Sequence, residues 1–353
     1  MRKFFDSLFS RSSTKKQLRI LPEGTTIEIA PGQTLLEAAL ANGVPYPHNC
    51  TVGTCASCKT KLKEGSVREA TPFGYTLSKE ELQAGYILAC QAFPRDHLTV
   101  VELPATADLP TPESFTGSIV ATQELTHDIL RVTVRTDRPM KYVAGQYAGI
   151  VAPGLPRGRH YSFAQAPERN GRTEVVFFVR KVPGGAFTGA LFEGQLTEAT
   201  LAIDGPHGGF YLRGGNAPMV CVVGGSGLAP MLSILEEARK NRVRRPCTLL
   251  FGARTQADLY MLDAIDDVAK SWPEPFEFLP ILSHEPAESD WSGARGLVSD
   301  FITTAMASGA EGYLCGPPPM IDASIESLVR CGASLEGIYY DKFVDGRDEE
   351  AGH

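Results

Sequence analysis

The sequence predicts a multidomain chain in which an α+β domain is followed by an antiparallel β-barrel and then by an α/β domain built on a parallel sheet. Three patterns carry this expectation. Residues 17–102 alternate short strands with two helices, residues 114–213 run strand after strand, and from about Asn216 strands and helices alternate. Regular short strands punctuated by Gly and Pro suit a small barrel. Strand–helix alternation implies parallel strands with helices on both faces. At 353 residues the chain has room for three domains of ordinary size.

Taken in order, residues 1–16 read as an appendage. Phe4, Phe5, Leu8 and Phe9 recur at helical spacing, with Arg2, Lys3, Arg11, Lys15 and Lys16 around them. Such a basic amphipathic segment suits weak association with a membrane surface or a partner; a frayed terminus packing its phenylalanines on the body is the alternative. In 17–102, Leu35, Leu36, Ala39 and Leu40 mark one helical face ended by Gly43. Ser78 with Glu81 reads as a capping box opening a second helix that stops near Gly85. Residues 103–113 carry three prolines and few large apolar residues, and read as a linker. The barrel strands are expected at 117–121, 129–135, 146–151, 159–164, 174–181 and 200–203. In the last domain, 214–353, strands are expected at 220–223, 248–251, 276–281, 312–314 and 337–340. A helix at 228–240 places Met231, Leu232 and Leu235 on one face.

Composition removes several classes of function. A net charge of −7 argues against a nucleic-acid partner. No apolar run approaches the roughly 20 residues that span a bilayer. The apolar stretch at the N-terminus is short and broken by charge, so no secretory signal is expected and a cytoplasmic location follows. Eight cysteines are too sparse for a disulfide scaffold in a chain of this length. Cys50, Cys55 and Cys58 cluster, which suggests a metal site in a reducing compartment.

That cluster has the spacing C-x4-C-x2-C, with Cys90 further along. This is the plant-type [2Fe-2S] ferredoxin spacing. Four thiolates give each iron two cysteine sulfurs beside the two bridging sulfides. Gly53 and small neighbours let the loop wrap closely and turn N–H groups toward sulfur. A structural zinc site prefers two matched C-x2–4-C pairs, and Cys90 has no such partner. A Rieske centre needs two histidines in place of two cysteines, so His48 reads as a surface residue near the cluster.

In the barrel, Arg159-His160-Tyr161-Ser162 matches the R-x-Y-S pattern of ferredoxin–NADP reductase-like flavoproteins. An Arg can pair with a flavin phosphate, a Tyr can pack on the ring or ribityl chain, and a Ser hydroxyl can bond flavin N5. His160 points to the other face of the strand by alternation and is expected at the periphery. Downstream, Arg180 to Thr188 places Gly184, Gly185 and Thr188 before a short helix, where backbone N–H groups suit a pyrophosphate.

In the last domain, Gly224, Gly225, Gly227 and Pro230 form a G-G-x-G-x-x-P turn between strand and helix, distinct from the G-x-G-x-x-G fingerprint. Its glycines let a phosphate approach the backbone. Cys315-Gly316-Pro317-Pro318-Pro319-Met320 follows a later strand. Arg254, just after the strand at 248–251, is placed to meet the adenosine ribose. Asp258 close by and the lack of a basic cluster favour NADH over NADPH. Cys221, Cys247 and Cys331 read as small core residues.

With these motifs in this order, the chain resembles the reductase (electron-transfer) components of bacterial multicomponent oxygenases, and within them the xylene monooxygenase type; benzoate dioxygenase and methane monooxygenase reductases share the plan. The resemblance implies a β-grasp [2Fe-2S] ferredoxin domain, an FAD-binding barrel and an NAD-binding domain. It implies cluster ligands Cys50, Cys55, Cys58 and Cys90, and FAD contacts at Arg159, Tyr161, Ser162, Gly184, Gly185 and Thr188. Nicotinamide contacts are implied at Gly224, Gly225, Gly227, Pro230, Gly316, Pro317 and Met320. Ser162 and Cys315 would flank the site of hydride transfer, and Phe343 in Tyr340-Asp341-Lys342-Phe343 would cover the flavin. The implied activity is NADH oxidation with single electrons passed through FAD and the cluster to a terminal oxygenase or hydroxylase, either a membrane-bound di-iron or a soluble Rieske type. A monomer is expected, in the cytoplasm or peripheral to the inner membrane face. A deoxysugar dehydratase as acceptor, or a non-enzymatic redox sensor, are the competing expectations.

Overall fold

The structure is a computed structural model that describes residues 15–343 apart from 45, 49–50, 54–55, 104–108, 156–157 and 198. The amphipathic segment expected at 1–16 therefore lies outside the described residues except for its last two. Of these, Lys15 pairs with Glu28 and Lys16 opens the first strand. The chain divides into two compact units, Met1–Thr106 and Ala107–His353.

The first unit is a mixed sheet in the order Thr25–Ile29, Lys16–Leu21, Leu98–Glu102, Lys59–Glu64, Tyr86–Leu88. Lys16–Leu21 and Leu98–Glu102 run parallel at its centre, and the other pairs are antiparallel. Helix Leu35–Ala41 opens on a reciprocal capping box between Thr34 and Glu37. It buries Leu35, Leu36, Ala38 and Ala39 in a core with Leu18, Ile20, Leu88 and Val101. Leu40, expected on the buried face, is 38% exposed, and Ala38 takes that place. The second expected helix, Lys79–Gln83, opens on the Ser78–Glu81 box and closes at Ala84, just before Gly85.

The second unit begins with six antiparallel strands in the order Arg159–Ser162, Tyr147–Val151, Leu201–His207, Glu113–Thr126, Ile129–Met140, Arg172–Arg180. A bridge between Phe163 and Phe177 joins the two ends, so the sheet closes into the expected barrel. Val134, Phe163, Val175, Phe177 and Leu201 fill its interior.

The chain then builds a six-stranded parallel sheet in the order Ala294–Arg295, Phe276–Leu282, Cys247–Ala253, Met219–Gly224, Glu311–Gly316, Ile338–Lys342. The two-residue edge strand Ala294–Arg295 is too short to leave an alternation pattern in the sequence. Strand order reverses between Met219–Gly224 and Glu311–Gly316. Ligands of open α/β sheets bind beyond the carboxyl ends of strands at such a switch point. One face of the sheet packs with helix Leu228–Lys240 against the outside of the barrel, through Ile129, Ala144, Ala164, Val176, Phe178 and Phe210. The other face is covered by helix Pro318–Arg330, through Ile321, Ile325 and Leu328. Cys221 and Cys247 are buried in this domain as expected, whereas Cys331, at the end of a helix, is only half-buried.

Candidate functional site

In the first unit, Cys58 and Cys90 are brought together as buried sulfurs, and the backbone N–H of Cys90 donates to Cys58 Sγ at 3.5 Å. Cys50 and Cys55 lie outside the described residues. Thr51, Gly53 and Ala56 take φ values of 55°, 90° and 56°, so the loop before Cys58 turns through the left-handed region at three points. Only glycine fits at position 53, because a Cβ there would fall 2.7 Å from Gln91 Cγ. Two buried sulfurs, an N–H aimed at sulfur and a close-wrapped loop fit a thiolate-held cluster. His48 is exposed, with Nδ1 2.8 Å from the carbonyl of Tyr46.

The two flavin motifs meet in the barrel. Tyr161 stands with its ring centroid 5.5 Å from that of Phe187, on helix Ala186–Phe192, and burial pushes its hydroxyl pKa well above the ordinary range. Ser162 is buried and pairs in register with Tyr147. Arg159 is exposed, with Nη1 donating to the carbonyl of Gly158 at 3.2 Å, which leaves most of its guanidinium for a ligand. His160 lies opposite Gly149 and beside Tyr147, on the face away from Arg159 and Tyr161 but shared with Ser162. Gly184 takes φ +74° with open space around it, and Gly185 caps the helix without a side chain, so the first helical N–H groups are open to a ligand. Thr188 is buried, and its hydroxyl accepts from Val182 N and lies near the carbonyls of Val182 and Gly185. It braces the glycine loop from beneath.

The nicotinamide motifs converge at the switch point. A Cβ on Gly227 would lie 2.2 Å from the carbonyl oxygen of Cys315, and one on Gly224 would lie 2.6 Å from Met320 Sδ. Gly316, at φ +147°, would place a Cβ 3.0 Å from the carbonyl oxygen of Gly224. Gly224, Gly227 and Gly316 thus let the two loops touch each other, a role beyond the approach of a phosphate that the sequence suggested. Gly225, at φ +55°, is half-buried. Pro230 sits in the first turn of Leu228–Lys240, where its missing N–H removes no helical bond. Pro317 is exposed and caps Pro318–Arg330. The backbone N–H of Phe343 donates to Gly316 O at 2.9 Å, tying the last described residue to the same loop.

Cys315 is fully buried, and that burial pushes its thiol pKa well up, with Asp341 adding to the effect. Asp341, its register partner, keeps part of its surface exposed. Its carboxyl is enclosed by protein, and the lost hydration pushes it up to about 7. Arg180, Asp128 and Tyr260 also gather here, none of them given a role by the motifs. Arg180 Nη1 lies 3.3 Å from the Cβ position of Gly225, and its Nε donates to Asp128 Oδ2 at 2.8 Å. Partial burial opposes ionisation of Asp128, but the bonds and charge of Arg180 outweigh it and hold the carboxyl below its ordinary range. Tyr260 donates to Gly225 O at 2.9 Å. Arg180 ends the strand before the glycine loop and Asp341 lies in the closing segment, so each had a sequence position to notice; Tyr260 had none. Arg254 is exposed and lines a cavity of about 470 Å³ with His127, Thr255, Asp258 and His284.

Comparison with known proteins agrees with this geometry. Residues 18–95 match the 2Fe-2S iron-sulfur cluster binding domain, residues 116–211 the oxidoreductase FAD-binding domain, and residues 219–325 the oxidoreductase NAD-binding domain. Over 325 residues the chain is 41% identical to the xylene/toluene monooxygenase electron transfer component XylA of Pseudomonas putida, covering 92% of each chain. It is 37% identical over 340 residues to the phenol 2-monooxygenase reductase component DmpP of Pseudomonas sp. strain CF600, covering 93% of this chain and 94% of the relative. Among solved structures, the Amycolatopsis cytochrome P450 reductase GcoB superposes with a TM-score of 0.69 at 34% identity, covering 94% of this chain and 99% of the other. The ferredoxin reductase of carbazole 1,9a-dioxygenase superposes with a TM-score of 0.65 at 30% identity, covering 93% and 98%. The chain therefore belongs to the family of oxygenase reductase components that carry a [2Fe-2S] ferredoxin domain, an FAD-binding barrel and an NAD-binding domain in one polypeptide.

Proposed function

We propose that this protein oxidises NADH and passes the electrons singly through FAD and its [2Fe-2S] cluster to a terminal oxygenase or hydroxylase acting on an aromatic or hydrocarbon substrate. The observation that carries this reading is the near full-length match to reductase components, with all three cofactor domains present in order. Flavin and cluster, when bound, would supply the conversion of a hydride into single electrons.

The chain's own residues orient and shield. Cys50, Cys55, Cys58 and Cys90 hold the cluster. Arg159 supplies charge to a flavin phosphate, the open N–H groups at Gly184 and Gly185 receive pyrophosphate, and Thr188 braces that loop. Tyr161 and Ser162 line the ring, and Phe343 stands at the loop of Gly316. Gly224, Gly225, Gly227 and Pro230 shape the nicotinamide turn, against Cys315, Gly316, Pro317 and Met320. Arg254 meets the adenosine end, and the Asp258 carboxylate lining the same cavity favours NADH by repelling a 2′-phosphate. The domain limits that go with this reading are 17–102, 114–213 and 214–353, with 103–113 linking the first to the second. Reconstitution with candidate terminal oxygenases, following NADH-coupled product formation, tests the reading; a protein that reduces none of them and no one-electron protein acceptor is something else.

Residues 1–16 extend the proposal to weak, salt-sensitive association with the inner membrane face or a membrane-bound hydroxylase, the reductase being a monomer. Among the described residues no helix is long and apolar enough to cross a membrane. Each basic residue near an anionic surface contributes on the order of 1 kcal/mol. Co-sedimentation with liposomes should be stronger for the full chain than for one starting at Gln17, and the difference should vanish at high salt. Equal behaviour of the two reduces the segment to a frayed end.

A further inference from the structure

We propose that Gln91 is a positioning residue that holds the cluster loop in place and raises the reduction potential of the iron–sulfur cluster by donating a hydrogen bond to a ligand sulfur. The proposal rests on the reading of Cys50, Cys55, Cys58 and Cys90 as cluster ligands.

Gln91 directly follows Cys90 in the short helical turn Ala89–Gln91 and is 8% exposed. A buried primary amide must find partners. Its Nε2 donates to Thr51 O at 3.0 Å and to Cys90 O at 3.1 Å, and lies 3.7 Å from Cys90 Sγ, within reach of an N–H···S bond. Two hydrogens are shared among three acceptors. All three accept, so the nitrogen must face them; the flipped amide would set its oxygen against two carbonyl oxygens.

The stem of Gln91 is part of the same fit. Its Cγ stands where a side chain on Gly53 would go, so the loop at Gly53 lies directly on it. Thr51, a β-branched residue held at φ 55°, presents its carbonyl to the amide. On the next residue but one, the buried hydroxyl of Thr76 donates to Gly53 O. Two buried side chains from other parts of the unit therefore grip alternate carbonyls of the loop that carries the ligand cysteines. The Sγ of Cys90, a thiol in this structure, stands for a ligand thiolate in the loaded protein. Reduction adds negative charge to a cluster, and a donor bonded to its sulfur stabilises that added charge, which raises the potential. Gln91 would make the cluster a readier acceptor for electrons leaving the flavin.

The test is made on the complete, cluster-loaded protein. Gln91→Met keeps the length of the stem and removes both N–H groups. It should retain iron and sulfide while its midpoint potential, read by spectroelectrochemistry, moves to a more negative value and the g-values of the reduced cluster shift. A fully loaded Gln91→Met protein with the parental potential and spectrum overturns the proposal. A second measurement needs no variant. Protein labelled with nitrogen-15 only at glutamine side chains should show, by pulsed EPR of the reduced cluster, a coupling to an amide nitrogen. Absence of that coupling overturns the proposal even if Gln91→Met fails to load. A parent protein without iron and without a [2Fe-2S] signal would instead sink the ligand assignment on which the proposal rests.

Discussion

Cys315 and Asp341 are register partners on the adjacent parallel strands Glu311–Gly316 and Ile338–Lys342, so a buried thiol and an enclosed carboxyl face the same side of the sheet at its switch point. Burial pushes both toward their neutral forms, and the Asp341 carboxylate further disfavours ionisation of the Cys315 thiol.

A dependence of stability on pH follows from the sign of that shift. In the unfolded chain Asp341 titrates near the ordinary value of about 3.9, and in the fold it is pushed up to about 7. The fold favours the protonated form, so the contribution is fully present below about pH 4 and is lost as pH rises through about 7. Asp341→Asn, neutral throughout, should melt with the parent at low pH and increasingly above it toward about pH 8. Parallel melting curves across that range would show that the carboxyl is not enclosed.

The two loops at the switch point should tolerate no side chain at Gly227. A methyl there meets the carbonyl oxygen of Cys315 at 2.2 Å, backbone that cannot rotate away. Gly227→Ala should cost about 3 kcal/mol, the upper end of the usual range for overpacking, and should depress NADH-dependent ferricyanide reduction. Gly189→Ala is the control: it lies in helix Ala186–Phe192 with nothing within 4 Å of a Cβ. It should stabilise by up to about 1 kcal/mol through helix propensity. Thermal melts of the two variants that coincide would remove the packing argument.

Arg180 carries a prediction about nucleotide binding. It is held by Asp128 with its guanidinium against the Gly225 turn, where a nucleotide's pyrophosphate is expected. Arg180→Ala should raise the KM for NADH on the order of tenfold, equivalent to about 1.4 kcal/mol, with a smaller change in kcat. Asp128→Asn, which loosens the same arginine, should act in the same direction and more weakly. Steady-state kinetics with ferricyanide read both, and an unchanged KM in Arg180→Ala would place the guanidinium outside the nucleotide site.

What the sequence disclosed in advance depended on range along the chain. The Ser78–Glu81 capping box and the helix Leu228–Lys240 are local patterns and were legible as such. The cysteine spacing and the strand–helix alternation were legible for the same reason. Leu40 misled because a seven-residue helix presents a narrow buried face, and alanine at 38 fits it. Gly227 was visible, but the reason for it was not. Its φ of −61° is open to any residue, and the constraint is the carbonyl of Cys315, distant in sequence. Arg180 against Gly225, Tyr260 against Gly225, and Asp341 beside Cys315 all require the barrel and the strand order to be in place first.

The cluster and the flavin should be separable in function. Cys90 lies in the unit Met1–Thr106, while both flavin motifs and both nicotinamide motifs lie in Ala107–His353. Cys90 is buried beside Cys58, and its own N–H bonds that sulfur, so a serine there disturbs a proposed ligand without touching the second unit's core. Serine is a poor replacement for thiolate, because iron–sulfur clusters are held by soft sulfur ligands. Cys90→Ser should lose iron and sulfide and abolish NADH-dependent reduction of cytochrome c, a one-electron protein acceptor. NADH-dependent reduction of ferricyanide, a small dye able to take electrons directly from flavin, should remain largely intact, as should FAD content. Equal loss of both activities in a folded variant that still holds FAD would contradict the modular reading. It would mean that electrons leave the flavin only through the cluster.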